Sequence, residues 1–228
     1  MIPLRDSVRS RSFPIVNILL ILANCYVFWQ ELFLSDRGLD IFVRQYGVIP
    51  AKIHSILALQ GLSWGLLPLV TAMFLHGGWL HLLGNMLYLW VFGDNVEDRM
   101  GHLKYLLFYL AAGVAGNLAQ VWADPASGVP AIGASGAVAG VLGAYFIWYP
   151  RARILTLVPI FIFISIVEIP ALVYLFFWFG LQVLNGLVSL SSPGAIVAWW
   201  AHIGGFLAGI TGALLSWGKG DTSYHPRN

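Results

Sequence analysis

A serine and a histidine sit inside separate apolar stretches of this chain. Ser135 lies in Gly133-Ala134-Ser135-Gly136, at the start of an apolar helical run. His202 lies in Trp200-Ala201-His202-Ile203-Gly204-Gly205, inside another. Polar groups in hydrocarbon-length segments are costly and tend to be functional. A hydroxyl within reach of an imidazole is an activated nucleophile, because the ring takes the proton as the oxygen attacks. A third polar group lies in His76-Gly77-Gly78-Trp79-Leu80-His81-Leu82-Leu83-Gly84-Asn85. His81 and Asn85 have the i, i+4 spacing of one helix face. Both can donate hydrogen bonds to the negative charge that acyl transfer develops on a carbonyl oxygen. The N–H of Ser135, beside a helix N-terminus, is a further donor for the same charge. His76, upstream of the Gly-Gly break, is expected to face the external mouth in a supporting role. The plainer reading makes these side chains ties between helices. His81 alone fits either reading; the cluster with Ser135 and His202 favours chemistry.

Such groups need elements to hold them, and composition sets the solvent. Hydrophobic residues make up 59% of the 228, charged residues 10%, and the mean hydropathy is +0.79. A soluble domain carries about 25% charged residues. The chain therefore reads as an all-α polytopic membrane protein with one compact bundle. Six spans are expected, over residues 13–34, 79–92, 102–122, 134–148, 154–179 and 196–217. Residues 1–12 form an N-terminal segment, 13–217 the membrane domain and 218–228 a tail. The first span is too long for the apolar core of a signal peptide, and no small-residue cleavage site closes it. Residues 35–75 form a long mixed first loop. The second and fourth spans fall short of the roughly 20 residues that a lone spanning helix needs. Their polar N-terminal ends must then sit inside protein or a water-filled cavity.

Loop charges give the orientation. Arg5, Arg9 and Arg11 precede the first span, and Arg99 and Lys104 follow the second. Arg151 and Arg153 follow the fourth, and Lys219 and Arg227 lie in the tail. By the positive-inside rule both termini are cytoplasmic. Arg37, Arg44 and Lys52 then fall outside, outvoted by the other loops. Ser135 is placed at the external end of the fourth span and His202 about two turns into the sixth. Both lie on the order of 10 Å below the outer surface, at about 1.5 Å per residue.

Several single residues complete the reading. Cys25 cannot form an intramolecular disulfide and is expected to be packing. Gly136, Gly140 and Gly143 form one small-residue stripe, and Gly205, Gly209 and Gly212 follow a similar one beyond His202. Stripes of this kind let membrane helices approach closely. Glu168 is expected on the fifth helix in a structural or water-facing role, with Pro159 and Pro170 bending that helix. The aromatics Tyr174, Phe176, Phe177, Trp178 and Phe179 read as lipid-facing or interfacial. Trp178 is also the candidate for a lateral gate between the fifth helix and the second. The histidines lack a metal-ligand spacing such as His-Glu-x-x-His, so no metal and no organic cofactor is expected. Nor is a nucleic-acid partner.

The joint pattern resembles the rhomboid family of intramembrane serine proteases. It consists of His76, His81 and Asn85, then Gly133-Ala134-Ser135-Gly136, then Ala201-His202-Ile203-Gly204-Gly205, with Glu97 and Arg99 before Gly101 as an acidic-basic turn. The resemblance implies a six-helix bundle and a Ser135–His202 catalytic dyad. It also implies an oxyanion site from His81, Asn85 and the Ser135 N–H, with the first loop as a membrane-associated hairpin. Substrates would be proteins with a transmembrane helix, met in the lipid bilayer of a bacterial cell membrane. One position departs from some members: Ala139 stands where they carry a Tyr that stacks on the catalytic histidine. Two rivals remain, a non-catalytic rhomboid-like protein that binds membrane helices and, further off, a transporter. A transporter predicts paired broken helices in two related halves, which the sequence does not display.

The charge pattern makes the topology testable. In a Cys25→Ala background, an impermeant thiol reagent applied to intact cells should label Ser127→Cys and leave Thr222→Cys unlabelled. The opposite pattern would invert the orientation.

Overall fold

The computed structural model describes residues 1–59, 64–160, 163–191 and 197–215. Its elements run β1 (Ile2–Asp6), α1 (Ile15–Glu31), α2 (Asp36–Tyr46), α3 (Pro50–Leu59), α4 (Pro68–Thr71), α5 (Trp79–Met100), α6 (His102–Ala123) and α7 (Ser135–Trp148). They continue with β2 (Arg153–Ile160), β3 (Phe163–Pro170), α8 (Ala171–Ser189) and α9 (Trp199–Leu215). The protein is mostly helical. Among the described residues, α6 and α8 are long and apolar enough to cross a membrane, while α1, α7 and α9 are shorter apolar helices. The core is apolar and so is much of the perimeter: Leu80, Leu103, Trp122 and Phe176 are all exposed. Lipid-facing side chains account for such a surface, because the bilayer exacts no cost for them.

Helix α7 is the axis of the bundle. Every residue from Gly136 to Tyr145 is buried. At 14 residues it is about 21 Å long, short of the roughly 30 Å hydrocarbon thickness. It packs against α5, α6 and α9. Against α9 the contact is backbone to backbone. A Cβ added at Gly205 would collide with the Gly136 carbonyl oxygen, and one added at Gly209 with that of Gly140. A Cβ at Gly143 would strike the Phe206 carbonyl. The expected stripe of Gly136, Gly140 and Gly143 therefore faces Gly205 and Gly209 of α9, whereas Gly212, expected in the same stripe, faces Phe108 of α6.

Helix α5 runs to Met100, about two turns beyond the expected end. Its final polar turns are helical because each polar side chain finds a partner at that end. Asp94 accepts from Ser10, and Asp98 from the backbone of Ser12. Asn95 donates to the buried Asp6 carboxylate, which also accepts the Tyr145 hydroxyl. Glu97, fully buried, accepts the backbone N–H groups of Val16 and Asn17 at 2.9 and 2.7 Å. These are first-turn donors of α1, whose own N-cap, Pro14, makes no side-chain bond. A carboxylate there satisfies orphan N–H groups and complements the helix dipole. Gly101, at φ +78°, then turns the chain into α6.

The largest departure from expectation follows α7. Residues 154–179 were expected to be one helix with proline bends. Instead Arg153–Ile160 and Phe163–Pro170 form an antiparallel hairpin, and the helix starts only at Ala171. β1 pairs with β2 on the other side, giving a three-stranded antiparallel sheet in the order β1-β2-β3. An all-α reading is thus corrected by one small sheet. The physical reason is visible in the residues: β-branched side chains dominate the run, Pro159 cannot donate within a helix, and burial alternates, with Ala152, Ile154 and Thr156 inside. Glu168 accordingly lies on strand β3 rather than on a helix, exposed as a water-facing residue and 3.6 Å from Arg153. An exposed ion pair of this kind contributes little.

Smaller corrections concern single positions. Cys25 is exposed on α1 rather than packed inside. Phe176 and Phe177 are exposed as expected, but Tyr174 is buried, and Phe179 stacks on Phe206 at 4.6 Å between ring centroids. His202 occupies the first turn of α9, not its second. Residues 196, 216 and 217, and the tail with Lys219 and Arg227, lie outside the described residues. The first loop docks on the α6–α7 connection: Val48 bridges to Ala131, and the Ala51 N–H bonds the Ser127 carbonyl.

Close helix approach is open to test by one chemical change at three places. Gly205→Ala and Gly209→Ala should each lower stability by about 1–3 kcal/mol, the usual cost of overpacking. Gly180→Ala on α8, whose added Cβ meets nothing within 4 Å, should be neutral or slightly stabilising, since Ala outranks Gly in helices. Thermal unfolding in detergent reads the difference; equal shifts in all three would mean that the α7–α9 contact does not limit the fold.

Candidate active site

Ser135 is the first residue of α7 and His202 sits in the first turn of α9. The glycine contact brings the two helix starts together, and Ser135 Oγ lies 2.8 Å from His202 Nε2. This is hydrogen-bond distance for a hydroxyl and an imidazole. Both side chains line a cleft of about 660 Å³. Its walls come from α5 through Leu80, His81, Gly84, Asn85 and Tyr88, and from α8 through Trp178 and Gln182.

His81 and Asn85 converge on the residues just before Ser135. A Cβ built on Gly133 would stand 2.5 Å from His81 Nε2 and 3.7 Å from Asn85 Nδ2. Gly133 also has φ +123°, so a side chain is excluded there twice over. His81 Nδ1 accepts the Gly77 N–H at 3.4 Å. In a neutral ring the proton must then be on Nε2, which is the nitrogen turned toward Gly133. Asn85 Nδ2 is buried and has no partner among the described residues. A buried donor left unpaired costs about 1–3 kcal/mol, so its retention in a cleft wall needs a purpose. Together with the free N–H groups at the start of α7, the cleft presents several donors beside one hydroxyl.

His76 departs from expectation. It is buried rather than at the mouth, it does not line the cleft, and its ring meets the edge of His81 at 5.1 Å between centroids. Its backbone N–H points at the Glu31 carboxylate of α1, at 3.3 Å. His76 therefore backs His81 from behind.

The family model for the rhomboid domain matches residues 63–219. The chain belongs to the rhomboid family. Relatives of this rhomboid include the Rhomboid protease GluP of Bacillus subtilis, 46% identical over 94 residues, which are 41% of this chain and 17% of that protein. The human mitochondrial presenilin-associated rhomboid-like protein is 29% identical over 150 residues, 63% of this chain and 36% of that one. The mitochondrial rhomboid protein 1 of Saccharomyces cerevisiae is 28% identical over 151 residues, 62% of this chain and 39% of its own length. The matched region spans less than half of each relative. Family membership makes this rhomboid a membrane protein; the relatives include both bacterial and mitochondrial proteins.

Two residues around His202, Gln182 and Trp199, were not singled out from the sequence, and a third, Trp178, was singled out only as a gate. Gln182 Oε1 is 2.8 Å from His202 Nδ1. The Trp199 ring meets the imidazole edge-on at 5.9 Å, and the Trp178 ring lies tilted at 6.2 Å. These three side chains surround the imidazole, whereas Ala139 is fully buried and offers no ring. Trp178 also contacts Phe206 at 6.0 Å and Tyr88 at 6.5 Å, so it joins α8 to both α9 and α5. Gln182 carried one legible signal: it is a lone amide in the apolar run from Ala171 to Leu184, and such residues merit a partner search.

Proposed function

We propose that this rhomboid is an intramembrane serine endopeptidase acting on proteins with a transmembrane helix. The observation that carries the reading is the 2.8 Å approach of Ser135 Oγ to His202 Nε2, inside a cleft walled by helices with apolar outer faces. Ser135 Oγ attacks the scissile carbonyl carbon while its proton passes to His202 Nε2. The carbonyl oxygen takes on negative charge and meets the donors of His81 Nε2, Asn85 Nδ2 and the α7 N-terminus. His202 then gives the proton to the leaving amine, and an acyl-enzyme remains. Water admitted from the end of the bundle where α7 begins hydrolyses it by the same proton relay. Six spans with cytoplasmic termini would place that end at the outer face.

A substrate helix must come from lipid. The cleft lies between α5 and α8, which meet through side chains: the Tyr88 and Tyr174 hydroxyls at 2.7 Å, and Tyr88 against Trp178. Gly84 opens the α5 wall, with nothing within 4 Å of an added Cβ. This seam is the proposed lateral gate, and Trp178 its movable member.

Two variant sets test the assignment. Ser135→Ala and His202→Ala, each purified, should fail to cleave a panel of single-span substrates while unfolding like the parent protein, because loss of either member disables the pair. Cleavage by pure Ser135→Ala would end the serine-protease reading; a folded wild-type protein that never cleaves or reacts with a fluorophosphonate would favour the non-catalytic helix-binding alternative. Asn85→Ala and His81→Ala should lower kcat by about 10²–10³ with little change in KM, since their donors meet charge present only in the transition state. A raised KM with unchanged kcat would reassign both to substrate binding.

A further inference from the structure

We propose that Gln182 is a positioning residue for His202, fixing which ring nitrogen carries the proton. The proposal rests on the protease reading for its consequence, though not for its geometry. Gln182 projects from α8, the helix that forms the far wall of the cleft, and it is buried. Its amide makes two bonds. Nε2 donates to the Trp178 carbonyl at 2.9 Å, and Oε1 faces His202 Nδ1 at 2.8 Å.

The Trp178 contact decides the orientation of the amide. A backbone carbonyl can only accept, so the NH₂ group must face it. The amide oxygen is then turned toward His202 and can only accept as well. His202 Nδ1 must therefore carry the hydrogen. In a neutral imidazole the other nitrogen, Nε2, is left with its lone pair. That is the nitrogen 2.8 Å from Ser135 Oγ, and a lone pair there is what a general base needs. The opposite tautomer would present an N–H to the serine and could not take its proton. A chain of bonds thus runs from the α8 backbone through Gln182 and His202 to the nucleophile.

A Ser-His-Asp hydrolase uses a carboxylate at the third position, and replacing it so that the wrong tautomer forms costs about 10⁴-fold in kcat. A neutral amide orients the ring without countering the charge on an imidazolium. Its removal should therefore cost less, on the order of 10²-fold.

The test compares Gln182→Met, which keeps length and loses the acceptor, with Gln182→Glu, which keeps an oxygen acceptor. Three quantities are read in detergent: kcat and KM on one single-span substrate, the rate of fluorophosphonate labelling of Ser135, and the ¹⁵N shifts of the His202 ring. Gln182→Met should lose about 10²-fold in kcat and in labelling rate, with KM within twofold of wild type. Gln182→Glu should retain at least tenfold more of both rates than Gln182→Met. The wild-type ring should show its proton on Nδ1. Wild-type rates in Gln182→Met, equal losses in both variants, or a wild-type proton on Nε2 would each overturn the proposal. Should wild type neither cleave nor label, the protease reading fails instead, and the ring shifts alone decide the tautomer.

Discussion

The distance between two helix backbones governs this molecule. A serine side chain reaches barely one bond past its Cβ, so the imidazole must be carried to it. Gly136, Gly140 and Gly143 on α7 and Gly205 and Gly209 on α9 let the two main chains touch. Each glycine in a helix interior costs about 1 kcal/mol relative to alanine. Five such positions are tolerated because no hydrophobic effect drives helices together in lipid, and contact must come from close packing and weak Cα–H···O bonds. The Ser135–His202 bond stands at the end of this seam, where the helices begin.

A short central helix creates a second requirement. The start of α7 has unbonded N–H groups that lipid cannot satisfy. Protein must enclose them, and the enclosure becomes the cleft. The first-loop helix α3 closes on the α6–α7 connection, α5 contributes His81 and Asn85, and α8 contributes Trp178 and Gln182. Buried carboxylates tie the surrounding backbone in place at both ends, with Glu31 at the N–H of His76 and Glu97 at the first turn of α1. Of the buried acids, Glu31 and Glu97 thus serve backbone donors and Asp6 serves the Asn95 amide and the Tyr145 hydroxyl, while His202 Nδ1 is met by the neutral Gln182.

Much of the site was legible because polar residues stand out against an apolar background. Ser135 and His202 could be singled out as polar groups inside apolar runs and His81 and Asn85 by their i, i+4 spacing, and the glycine stripes foretold that α7 and α9 would touch. Gln182 escaped because its partner lies 20 residues on in another element, and an isolated amide gives no period to read. His76 was misplaced because a Gly-Gly break looks like an exposed turn, while Glu31 lies too far upstream to suggest a buried anchor. The hairpin before α8 was missed for a different reason. A long apolar run is helical or extended according to its tertiary neighbours, and here the neighbour is a strand about 150 residues upstream, at Ile2–Asp6. The true length of α5 was hidden likewise: its polar last turns look like loop until Ser10, Ser12 and the start of α1 are seen to meet them.

The pairing of β1 with β2 joins residues 2–6 to residues 154–157. A ribosome releases these partners in sequence, so the first strand must wait, exposed, until α1 through α7 have been made. Only then can the Met1 carbonyl also receive the Tyr174 hydroxyl of α8. Chain order alone therefore makes this sheet a late closure: its second strand exists only after α1 through α7 have been synthesised.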